Sequence, residues 1–66
     1  MTPADERRLQ RFDAFARGVN DELRQTRAQM DELRAEGRAK SATYQQLLAN
    51  RMTLEQIVAR LKEFGL

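Results

Sequence analysis

Among 66 residues there is no histidine and no cysteine. The commonest general base, the commonest nucleophilic thiol and the usual zinc ligands are therefore missing together. What remains for chemistry is oxygen. Ser41 and the threonines Thr2, Thr26, Thr43 and Thr53 have no imidazole to accept a proton. Asp5, Asp13, Asp21, Glu22, Asp31, Glu32 and Glu36 could share a proton or a divalent ion only if they converged. Their spacing instead spreads them over the polar faces of a helix. The helical carboxylate metal pattern Glu-x-x-His cannot be written with this alphabet, and no glycine-rich phosphate loop occurs. The sequence predicts a non-enzyme with no catalytic, cofactor-binding or metal-ligating residues, whose chemistry is that of surfaces.

Charge supplies the next candidate. Residues 1–33 hold six Arg and seven acids, net −1, whereas residues 34–66 hold six basic and three acidic side chains, net +3. The surplus gathers at Arg34, Arg38 and Lys40, with Arg51 and Arg60 further on. Clustered basic side chains are what phosphate contacts require. Gln45-Gln46-Leu47-Leu48-Ala49 followed by Leu54 to Phe64 can also be read as a helix-turn-helix, which makes a small nucleic-acid-binding regulator one alternative. No glycine marks that turn, however, and Glu55 and Glu63 would face the phosphates. A basic helix end complementing the helix dipole explains the same charges and is favoured. The high pI of 9.7 follows from a net charge of only +2 with no histidine to titrate.

The elements that carry these residues are helices, because Ala, Leu, Arg, Glu and Gln dominate and only three Gly and one Pro intervene. Thr2 caps, Pro3 suits the first helical position, and Asp5 and Glu6 put negative charge in the first turn. Apolar positions then run Leu9, Phe12, Ala16, Val19, Leu23, Thr26, Met30, Leu33, alternating steps of three and four as in a coiled-coil seam. Phe15 widens that seam beside Phe12. Gly37 ends the first helix near residue 36. Gly18 reads as a tolerated surface glycine, costing about 1 kcal/mol relative to Ala. After a turn at 37–42, Thr43 with Gln46 suggests a capping box for a second helix over 43–64. Its broad face carries Leu47, Leu48, Leu54, Ile57, Val58, Leu61 and Phe64.

Two alternatives accompany this reading: a single continuous coiled-coil helix, and a break in helix 2 at Asn50-Arg51-Met52-Thr53 with a second capping box at Thr53. Asn50 would then be a C-cap, whereas in an unbroken helix it is a buried polar residue that fixes register. Met30 and Met52 read as fillers of core gaps. Asp13 with Arg17, and Glu36 with Lys40, are spaced to pair on one helix face.

The fold expected is thus all-α, an antiparallel hairpin of a long and a shorter helix in one domain. Its core is drawn from Met30, Leu33, Leu47, Leu54, Ile57, Val58, Leu61 and Phe64. A chain this small normally needs a disulfide, a metal or oligomerisation to be stable, and only the last is open to it. Leu9, Phe12, Phe15, Ala16, Val19 and Leu23 are the self-association candidates of a dimeric four-helix bundle. The function this implies is a helical interaction, scaffold or accessory protein. A further alternative is that a different protein completes the seam, as for an inhibitor or antitoxin-like partner. No stretch has the roughly 18 apolar residues of a membrane span and no signal-peptide core opens the chain, so no membrane contact and a cytoplasmic location are expected.

Overall fold

Residues 1–65 are described by a computed structural model. Two helices make up the chain, α1 (Pro3–Ala35) and α2 (Ala42–Glu63), packed antiparallel as a hairpin with no strand among the described residues. The start of α1 follows from its first five residues. Thr2 Oγ1 accepts from the Asp5 backbone N–H at 3.2 Å, and Asp5 returns the bond to the Thr2 backbone at 3.3 Å. This reciprocal cap satisfies two otherwise orphaned donors and holds the Asp5 carboxyl below its ordinary range, through the Thr2 hydroxyl first and the Thr2 N–H second.

Gly37 ends α1 because it alone there can take φ +73° without a Cβ clash. The left-handed turn lets Arg38 N–H donate to Leu33 O at 2.7 Å and Gly37 N–H donate to Arg34 O at 3.0 Å. Those are the two bonds of a Schellman motif, and they reverse the chain direction. A single continuous helix is thereby excluded.

Helix α2 begins one residue before the expected Thr43, because Ser41 rather than Thr43 is its cap. The Ser41 hydroxyl donates to Arg38 O at 2.8 Å and accepts from Tyr44 N–H at 3.1 Å. One oxygen thus closes the turn and opens the helix, a double role that Thr43, already inside the first turn, cannot fill. Ser41→Ala should lower stability by about 0.5–2 kcal/mol, and Thr43→Ala by much less. Urea denaturation midpoints of the two variants compare them directly.

No break occurs at residues 50–53, and α2 runs unbroken to Glu63. Thr53 has no cap to serve; its hydroxyl instead donates back to Ala49 O at 3.2 Å within the helix. The charge pairs also differ from those anticipated. Glu36 lies in the turn and meets Arg38 at 3.5 Å instead of Lys40, and Asp21 pairs with Arg24. Asp13 and Arg17 form no ion pair.

The core is a narrow strip between the helices. Val19, Leu23, Thr26 and Met30 of α1 and Leu54 and Leu61 of α2 are buried, with Ile57 and Val58 packed alongside and Leu33 and Leu47 half-buried. The buried steps along α1 are four, three and four residues, the seam spacing read from the sequence. Val19 and Leu23 therefore belong to the hairpin's own core and are not free for another chain. Phe64 departs the other way: it is the residue after the last turn of α2, outside the packed strip and largely exposed. Met52 likewise faces out.

Candidate functional site

The unequal helix lengths create the principal surface feature. At about 1.5 Å per residue, the 33 residues of α1 extend about 16 Å beyond the reach of the 22 residues of α2. Because the turn ties the C-terminal end of α1 to the start of α2, the surplus falls at the N-terminal end of α1. The molecule is accordingly long and thin, 53 × 18 × 15 Å.

At that open end the apolar seam continues without a cover. Phe12 and Phe15 lie with ring centroids 6.4 Å apart and planes tilted by 54°. Across from them stand Ile57, Leu61 and Phe64 from the last turns of α2, with the Arg60 stem beside them; together they line a groove of about 510 Å³. Leu9 is 49% exposed, Phe12 37%, Phe15 52% and Phe64 77%. The three phenylalanines leave about 300 Å² of aromatic surface in water. At about 25 cal/mol per Å², covering it is worth roughly 7 kcal/mol, comparable to the whole stability of a small domain. Ala16, half-buried, sits where the open end meets the core.

Compared with known families, curated proteins and solved structures, the chain matches none. The surfaces themselves must therefore indicate the function.

The other concavities are poorer. A hollow of about 460 Å³ at Thr43, Gln46, Leu47, Ala49, Asn50 and Thr53 follows α2 alone and has no second wall. Among the described residues no three acidic side chains gather as a metal site, and no helix is long and apolar enough to cross a membrane.

The basic candidates are largely engaged. Arg34 donates to the Tyr44 hydroxyl at 2.8 Å, lies 5.9 Å over the Tyr44 ring and reaches Asp31 at 3.9 Å. Its already high pKa is raised further, by the Tyr44 hydrogen bond first. Arg38 pairs with Glu36, Arg51 with Glu55 at 3.4 Å, and Arg60 with Glu63 at 3.6 Å. Among the described residues Lys40 has no carboxylate partner within 4 Å. These side chains are distributed from the turn to the far end of α2 and do not form one patch.

Two contacts escaped the sequence reading. Arg27 on α1 reaches Glu55 on α2 at 3.3 Å, and Arg34 locks onto Tyr44 at the closed end. The first flanks core positions on both helices, Thr26 beside Arg27 and Leu54 beside Glu55. Once two seams are set antiparallel, charges one residue off them face each other.

Proposed function

We propose that the protein is a non-enzymatic helical interaction module, an accessory or scaffold protein acting through coiled-coil-type contacts at the open end of its hairpin. The observation that carries this reading is the aromatic groove of Phe12, Phe15 and Phe64, large apolar side chains held in water on a chain with few to spare. Apolar patches of this kind mark interaction surfaces, and aromatic residues dominate the energetics of such contacts. The absence of His and Cys leaves no ordinary catalytic machinery to set against it.

The nucleic-acid alternative has less behind it. Four of its five candidate cations, Arg34, Arg38, Arg51 and Arg60, already have acidic neighbours. Phosphate binding would have to displace each of them.

Site-specific photo-crosslinking in the native cell tests the module reading. Benzoylphenylalanine placed at Phe12 or Phe15 should give discrete adducts, and the same probe at the exposed, outward Gln25 should give none. Equal labelling at all three positions, or none at any, removes the proposal. An adduct with a different protein would favour the inhibitor-like or antitoxin-like mode of the same module.

A further inference from the structure

We infer that the groove at the open end is occupied by a second copy of this chain, giving a closed two-fold dimer in which the overhanging α1 segments and the last turns of α2 form a four-helix core. This rests on the interaction-module reading and specifies its partner.

Area is the first argument. The chain exposes 5379 Å², whereas a folded monomer of 7.7 kDa is expected to expose about 4,300 Å². The excess is about 1,000 Å². A standard stable interface takes about 800 Å² from each partner. One interface with one partner therefore brings this chain to the surface of an ordinary small protein, and a larger assembly is not needed.

Charge around the groove is the second. Arg7, Arg8 and Arg11 interleave with Asp5, Glu6 and Asp13 on the overhang, and Arg60, Lys62 and Glu63 lie in the last turn of α2. A two-fold interface sets one patch against itself, so each copy must bring both signs. This frame does so. A strongly acidic or strongly basic partner would meet charges of its own sign as well as opposite ones.

Geometry is the third. The overhang is a continuation of a seam already packed antiparallel against α2, so its exposed row has the spacing that receives another helix. Two overhangs supply that row for each other, and Phe64 of each copy closes the flank. Because the contact is isologous it saturates at two copies and leaves no sticky end.

Sedimentation equilibrium of the purified full chain from 1 to 200 µM tests the inference. The expected result is twice the 7.7 kDa chain mass over the upper range, with a thermal midpoint that rises with concentration. Phe12→Asp with Phe15→Asp should be monomeric throughout. Phe64 is 77% exposed and lies after the last turn of α2, so Phe64→Asp should keep the hairpin intact whatever the double variant does; it should weaken the dimer at least tenfold. A folded wild-type monomer at 200 µM, a ladder of higher masses, or undiminished dimer in Phe64→Asp each overturns the inference. A wild-type monomer that still gives discrete crosslinks at Phe12 in cells would leave the module reading standing with a different partner. A wild-type monomer without such crosslinks would remove both.

Discussion

Met30→Ala is expected to cost about 2–5 kcal/mol and Met52→Ala less than about 0.5 kcal/mol, although the two methionines look alike in the sequence. Met30 is 1% exposed and is the largest fully buried side chain, whereas Met52 is 53% exposed on the outer face of α2. Truncating Met30 removes its transfer free energy and also leaves a void between two helices that have no third layer to collapse into it. For a chain of this size such a loss approaches the entire folding free energy. Met30→Ala should therefore be partly unfolded at low concentration and, if the hairpin dimerises as proposed, recover helix as concentration rises, since a partner that binds only the folded state adds stability by mass action. Circular dichroism melts of both variants at 2 and 200 µM supply the check. Equal midpoints for Met30→Ala and Met52→Ala would refute the assigned core.

That pair of residues also shows how far the sequence could be read. The seam from Leu9 to Leu33 is legible because three-and-four spacing has only one structural meaning over so many steps. The reversal at Gly37 is legible because a left-handed residue was required and glycine supplies it. What sits opposite the seam is not legible in the same way. Helix α2 carries apolar residues over a broad face, and its rotation about its own axis decides which of them turn inward. That rotation is fixed jointly by the Ser41 turn, the Arg34–Tyr44 contact and the Arg27–Glu55 pair. The Ser41 turn is local, but the Arg34–Tyr44 and Arg27–Glu55 contacts join residues 10 and 28 apart. Hence Met52 and Phe64 turn out to be exposed, while Val19 and Leu23, assigned to self-association, are claimed by the hairpin. The same joint geometry makes Ile57, Leu61 and Phe64 a wall of the open-end groove, where the sequence offered only their membership of a face.

Asn50→Ala should be more damaging than its exposed position suggests, by about 1–3 kcal/mol, and the reason lies in Thr26. Thr26 is the one polar residue in the buried strip. Its hydroxyl oxygen accepts from Asn50 Nδ2 at 3.3 Å across the helix pair, so the two form a polar layer between otherwise apolar ones. Removing Asn50 leaves the threonine oxygen buried and without that donor, and a stranded buried polar group carries its full desolvation cost. The opposite substitution behaves differently. Thr26→Val removes the buried hydroxyl itself, and the amide left behind on Asn50 is exposed and can turn to water. Its effect should be near zero or mildly stabilising. Thr26→Val combined with Asn50→Leu should raise stability above wild type, because it converts the layer to an apolar one of similar shape. A double-mutant cycle in urea measures all three, with a coupling of 0.5 kcal/mol or more expected between positions in contact. Additive single effects would show that the Thr26–Asn50 bond contributes nothing. If the hairpin dimerises as proposed, the layer also bears on register. Asn50 is exposed rather than the buried polar residue expected of an unbroken helix. Its bond to the buried Thr26 still penalises helix registers that separate the two, as a single Asn does at a coiled-coil seam. The apolar double variant should accordingly be more stable yet populate more than one oligomeric mass, a loss of uniqueness that light scattering detects alongside the gain in melting temperature.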